Sequence, residues 1–300
     1  MRATAKRAGA ASACRRTSLK RAGKRWSTRS STACCTVARS EGGHRVNEGE
    51  LPFGRVLLAG EVHDCLFDGD RVVLLDRPAY ASGAQPVGEA ALGDCRLLAP
   101  VQPTKVVAVG LNYRAHAEEF AAAPPSEPLL FLKPPSAVVG PGAAIVLPPQ
   151  SRRVDYEAEL ALVVGRRCRD VSVAAAPSHV AGYTCANDVT ARDLQRSDGQ
   201  WTRAKSFDTF CPLGPWVVRR APDERARVSA LIDGRPVQEG QVGDMIAAPL
   251  ELLAYVSGVM TLEPGDVILT GTPPGVGPLA HGQVVTVAVD GVGQLANPVR

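Results

Sequence analysis

A β-rich α+β fold is predicted for the body of this 300-residue chain, on three observations. Short runs of β-branched and apolar residues recur between Gly and Pro turns. These runs outnumber the stretches with a helical period and do not alternate regularly with them, as a parallel α/β sheet would require. The composition, 45% hydrophobic and 21% charged, is that of a globular protein able to bury a sizeable core.

Taken in order, residues 1–48 are rich in Ala, Ser, Arg and Gly and have no sustained period, so they are expected to be a disordered basic leader. Three readings fit that leader: a mitochondrial transit peptide, a functionless extension from an upstream start codon, or a nucleic-acid-binding arm. Residues 49–100, with runs at Arg55–Ala59 and Arg71–Leu75, read as a small β-rich N-terminal domain. Residues 101–300 then form the main domain. Thr104–Leu111 reads as a buried strand leading into a short helix, with Asn112 as its N-cap. Pro124, Pro125 and Pro128 end that helix and impose an extended loop. Leu129–Leu132, Ala143–Leu147, Ala158–Val164 and Ala181–Ala186 are strand candidates. Leu250–Val259 is an amphipathic helix opened by Pro249, and Val267–Thr270 and Val284–Val289 are the last strands.

The net charge of +4 hides an asymmetry. Eleven of the 34 Lys and Arg, and none of the 30 Asp and Glu, lie in residues 1–40. The remainder carries 23 basic against 30 acidic residues, so the body is mildly acidic and is not expected to bind nucleic acid. The eight cysteines include no CxxC pair and read as reduced thiols. No apolar stretch approaches the ~20 residues of a membrane span, and a cytoplasmic location is expected unless the leader targets mitochondria.

The chemistry starts with acids. In the run VDYEAEL, Glu157 and Glu159 are two apart, so on a strand they share a face. Two adjacent like charges are disfavoured unless a cation joins them, and a hard divalent ion takes carboxylate oxygens. Alternatively, the pair lies on the solvated face of an edge strand. Asp188, after a strand-like run and beside Asn187, is a third acid; Asp193 falls in a charged, helical continuation. His116 and Glu119, three apart, share a helix face. A carboxylate on one imidazole nitrogen fixes the tautomer and makes the other nitrogen a better base, although such a pair is also common on surfaces. The body contains three lysines, Lys105, Lys133 and Lys205, and otherwise uses Arg. The glycine-rich run 271–277 lacks the ending of a phosphate loop, and Asp266 reads as a turn acid.

The ordered motifs NYxxHAxE, FxKPxSAxxG, DYExEL, NDVTARDLQ, WxRAKSFDTFCPLGP and TGTPPGVG, across residues 104–293, resemble the fumarylacetoacetate hydrolase family. The resemblance implies mixed β-sheets rolled into a barrel-like sandwich and, often, a homodimer. It implies Glu157, Glu159 and Asp188 as ligands to Mg2+ or Mn2+. It also implies catalytic roles for His116 and Glu119, on a lid hinged near residues 124–128, and for Lys205, beside the substrate oxygens near the metal. Lys133, Arg192, Gln195 and Thr272 are implied as contacts to a small 2-oxo acid. The expected reaction is hydrolysis of a C–C bond in an acylpyruvate- or fumarylpyruvate-type acid. Isomerisation or decarboxylation of 2-oxo or 2-hydroxydiene dioic acids is the alternative. A non-catalytic binding module is a further reading, against which stands the cost of burying three unneeded acids.

Overall fold

The computed structural model describes residues 48–119 and 125–300. The leader through Asn47, and Pro124 of the expected hinge, lie outside the described residues. The body opens with strands β1 (Phe53–Leu58), β2 (Glu61–Asp68), β3 (Arg71–Leu75), β4 (Pro86–Ala91) and β5 (Arg96–Leu97). Next come β6 (Val106–Gly110), helix α1 (Arg114–Glu119), β7 (Leu129–Lys133) and β8 (Val138–Val139). They are followed by β9 (Val154–Tyr156), β10 (Ala158–Val164), β11 (Val180–Asn187) and β12 (Thr190–Ala191). Helices α2 (Arg192–Asp198) and α3 (Thr202–Lys205) precede β13 (Cys211–Val218), β14 (Arg227–Ile232) and β15 (Arg235–Gln241). Helix α4 (Pro249–Val259), β16 (Val267–Leu269), β17 (Gly277–Pro278), β18 (Val284–Val289) and β19 (Gly293–Pro298) complete the chain.

A twelve-stranded sheet runs β4-β3-β2-β1-β13-β11-β10-β16-β6-β7, with β5 on β1 and β8 on β13. Its pairs are antiparallel except β6–β16 and β8–β13. A four-stranded sheet, β15-β14-β18-β19, and a three-stranded one, β12-β9-β17, complete the architecture. The large sheet stays open between β4 and β7, so the fold is a β-rich sandwich with a few helices rather than a closed barrel.

β10 shows why the site lies where it does. Leu160, Leu162 and Val164 enter the core shared with Val228 of β14, Val285 of β18, Leu295 of β19 and Leu252 of α4. The alternate residues Ala161 and Val163 enter a second core with Val106, Leu213 and Val217. A strand buried on both faces reads as a nearly continuous apolar run, and AELALVV is one but for its acid. Glu159 interrupts that run, so its carboxylate is held where apolar side chains surround it.

Two local expectations differ from the structure. Asn112 does not cap α1. It is buried, its Nδ2 donates to the carbonyls of Thr270 and Ala247, and its Oδ1 accepts from Ala247 N. It therefore ties the end of β6 to the end of β16. Residues 143–147 form no strand; Ile145 makes a single parallel bridge to Val299.

Candidate metal and substrate site

Glu157, Glu159 and Asp188 converge at one point, with one carboxylate oxygen of each within 4.8 Å of the others. All three are buried. Glu159 projects from β10, and Asp188 directly follows β11, the neighbour of β10. Glu157 departs from the simple strand picture: it stands in a break between β9 and β10. One side-chain and one main-chain acceptor hold that break, with Glu157 N donating to Asn187 Oδ1 and Asp188 N donating to the Glu157 carbonyl.

Three cations surround the acids. Lys205 Nζ donates to Glu157 Oε2 at 2.9 Å and to Asp188 Oδ2 at 2.5 Å. Lys133 Nζ donates to Asp188 Oδ1 at 2.6 Å and to the Val189 carbonyl at 3.2 Å. Arg192 donates from Nε to Asp155 Oδ2, from Nη1 to Gln195 Oε1 and from Nη2 to Glu157 Oε1. Glu159 is treated differently: its carboxylate accepts one protein hydrogen bond among the described residues, from Gly271 N at 2.7 Å.

The electrostatics follow from this imbalance. Burial opposes ionisation of Glu157, but Lys205 and Arg192 outweigh it and hold the carboxyl far below the usual range. Burial and the charges of Asp188 and Glu157 push Glu159 well above that range. Burial works against the Lys205 charge, and Asp188 and Glu157 more than restore it. A buried acid whose ionisation is opposed by its surroundings, beside two further acids, is a place where a divalent cation would replace a proton, and the all-oxygen donor set suits a hard ion.

The acids sit at the inner end of a cavity of about 230 Å³, which His116, Lys205, Arg192, Gln195 and Thr272 also line. His116 Nδ1 lies 3.0 Å from Glu119 Oε2, as the i, i+3 spacing predicts. Glu119 also accepts from Gly275 N at 3.3 Å. The glycine-rich run thus braces two acids, Glu159 through Gly271 N and Glu119 through Gly275 N. Gly271 has φ +94°, and a Cβ there would lie 2.7 Å from Asn112 Cβ, so the close approach requires glycine. The Thr272 hydroxyl is committed to the framework, donating to the Ala158 carbonyl and accepting from Gln238 Nε2. Lys133 supports Asp188 from outside the cavity lining. Asp193 accepts from Ser151 Oγ and Arg152 N, away from the acids.

Asp155, Phe131, Trp201 and Arg196 were missed by the sequence reading. Asp155 is completely buried and anchors Arg192 and Arg153. The others line the cavity. Asp155 sits in the DYExEL motif two residues before Glu157, and its alternation with Glu157 and Glu159 was the signal available.

Residues 105–300 match the family model described as fumarylacetoacetate (FAA) hydrolase C-terminal. The chain belongs to the fumarylacetoacetate hydrolase family. Among solved structures of family relatives, it is 42% identical to 5-carboxymethyl-2-hydroxymuconate delta-isomerase from Mycobacterium smegmatis. That likeness has a TM-score of 0.77 and covers 83% of this chain and 99% of the other. It is 35% identical to fumarylpyruvate hydrolase from Pseudomonas aeruginosa, solved with Mn2+ and pyruvate, with a TM-score of 0.63 over 67% and 90% of the two chains. It is 48% identical over 186 residues to the human mitochondrial oxaloacetate tautomerase FAHD2A, covering 60% of this chain and 59% of that protein. Members of the family are enzymes of several reaction types. Among the described residues, no helix is long and apolar enough to cross a membrane.

Proposed function

We propose that this chain is a divalent-metal-dependent hydrolase that cleaves a C–C bond in a small 1,3-dioxo acid of the acylpyruvate or fumarylpyruvate type. The observation that carries this reading is His116, held by Glu119 at its Nδ1, lining the same cavity as the three convergent carboxylates. Glu157, Glu159 and Asp188 would hold Mg2+ or Mn2+, and the Mn2+- and pyruvate-bound relative from Pseudomonas aeruginosa supports that assignment. A bound divalent ion supplies a Lewis acid for the 2-oxo group.

The chain's own residues do the rest. Glu119 holds His116 by Nδ1, so Nε2 is the nitrogen that takes a proton from water. The water oxygen adds to the distal carbonyl carbon. The C–C bond then breaks toward the 2-oxo acid, and the carbon released there takes the proton back from His116. Lys205 and Arg192 keep Glu157 ionised, and Lys205 supplies a compact positive charge beside the reacting oxygens.

A second reading, isomerisation or tautomerisation of a 2-oxo or 2-hydroxydiene acid, draws on the 42% identity to the delta-isomerase over nearly its whole length. The two readings part at His116. In the hydrolase, His116→Ala should lower acylpyruvate cleavage about 10²–10⁴-fold and leave Mn2+ affinity unchanged. Oxaloacetate tautomerisation, which needs no water nucleophile, should suffer less. Both rates are measured on wild type and variant at saturating Mg2+. Cleavage that persists near the wild-type rate in His116→Ala removes the water-activating role and leaves the isomerase reading.

A further inference from the structure

Helix α2 contributes a residue that the motif comparison does not account for. Arg192, Gln195 and Arg196 stand at i, i+3 and i+4, so they share one helix face, and all three line the cavity. Their surroundings differ. Each side-chain nitrogen of Arg192 already donates to a protein oxygen, and Gln195 Oε1 is one of the acceptors. Arg196 is exposed at the cavity edge and has no ion pair or hydrogen-bond partner among the described residues. An aromatic wall lines the same cavity: Phe131 and Trp201 meet edge-on, with centroids 5.3 Å apart. Gly110 makes room for it, since a Cβ there would lie 2.8 Å from the Trp201 ring.

The cavity therefore has a buried inner end rich in carboxylates, an apolar side, and an outer edge with an exposed guanidinium. A ligand complementary to all three carries a chelating 2-oxo acid at one end, a short carbon chain, and an anion at the other. A guanidinium's planar fork matches a carboxylate. The geometry points to Arg196 as the specificity-determining residue that reads a second, distal carboxylate, which makes the preferred substrate a 2-oxo dicarboxylate rather than a monoacid. The assignment of the inner end rests on the proposed function above.

Titration calorimetry on the full-length, Mn2+-loaded protein tests this without turnover. The probes are pairs of equal chain length: 2-oxoadipate against 2-oxohexanoate, and 2-oxoglutarate against 2-oxopentanoate. Wild type should bind the dicarboxylate of at least one pair about tenfold more tightly, the scale of one charge-assisted contact at a partly exposed site. Arg196→Gln should erase that preference while leaving monoacid affinity, Mn2+ affinity and melting temperature unchanged. Arg196→Lys should keep part of it, because charge remains and the fork is lost. Equal binding of both members of each pair by wild type overturns the Arg196 assignment alone, as does a preference that survives in Arg196→Gln. If wild type binds none of the four, the 2-oxo acid reading of the inner end fails and this inference falls with it.

Discussion

Two buried clusters of acid and lysine lie in this fold, and they are built differently. Asp266 is completely buried and accepts five hydrogen bonds: from Thr104 N, Thr104 Oγ1, Lys105 N, Lys105 Nζ and Glu263 N. Burial opposes its ionisation, but Lys105 and the surrounding donors outweigh burial and hold the carboxyl below its usual range. Three of those five donors are main-chain amides fixed by the fold. In the other cluster, the carboxylates of Asp188 and Glu157 are held by the side-chain cations of Lys133, Lys205 and Arg192, and Glu159 has a single amide. An acid saturated by main-chain donors is a structural joint. An acid left short of donors, beside acids held by side-chain cations, can exchange its proton for a ligand. Each of the three lysines of the body ends on a buried aspartate, so lysine content alone does not separate the two cases.

The strongest test of the contrast is to remove one acid from each cluster. Glu159→Gln keeps an acceptor for Gly271 N but loses the charge. Activity should fall by more than about 10³-fold, since a Lewis acid contributes several kcal/mol, and the Mn2+ binding heat should vanish. The metal-free variant should melt no lower than wild type, because a neutral amide is buried in place of an acid. Unchanged Mn2+ affinity in Glu159→Gln and in Asp188→Asn would remove the proposed metal centre.

Asp266→Ala should do the reverse. It leaves Lys105 Nζ, the Thr104 hydroxyl and three amides without their acceptor, and breaking such a pair costs about 3 kcal/mol. Urea denaturation should show that loss, with Mn2+ affinity and turnover per folded molecule unchanged. If the variant is as stable as wild type and has lost metal binding, the division between structural and functional acid is wrong.

This division was only partly legible in the sequence. Glu159 could be picked out because it interrupts an apolar run where charge is costly. The lysines stood out by their scarcity in the body, Asp188 by the strand-like run before it, and Asp266 read only as a turn acid. Strands β3, β10 and β18 were read with the ends they have, because their apolar residues are continuous or alternate cleanly. The β14–β15 hairpin was overlooked although Asp233-Gly234 is a strong turn signal, with φ of +48° and +79°. Asn112 was misassigned because an Asn before a helix fits a cap locally, whereas its real partners, Ala247 and Thr270, are more than 130 residues away. Four of the five donors on Asp266 and the one on Glu159 are likewise long-range facts, which no local pattern carries.

The smallest expected effect concerns proton linkage at Glu159. Its carboxyl is raised in the fold by burial and by its acidic neighbours, from a reference of 4.5. Above that pH the unfolded chain has lost this proton while the metal-free fold keeps it. The folded state then binds more protons, so its stability falls as pH rises. Glu157 has the opposite shift, but its contribution is complete above 4.5 and lost only below it, so it adds no slope in this window. Asp64, half-buried and also raised by burial, has the same sign as Glu159, so the wild-type slope alone decides nothing. The difference between wild type and Glu159→Gln isolates the term. In metal-free buffer, the advantage of the variant should grow as pH rises from 4.5, by at most about 1.4 kcal/mol per pH unit for one proton. With saturating Mn2+ the sign should invert, because the metal takes the place of the proton and binds more tightly as pH rises. Urea denaturation of both proteins across this range, with and without Mn2+, measures it. Parallel metal-free curves would show that Glu159 ionises normally in the fold and that the shortage of donors around it has no electrostatic consequence.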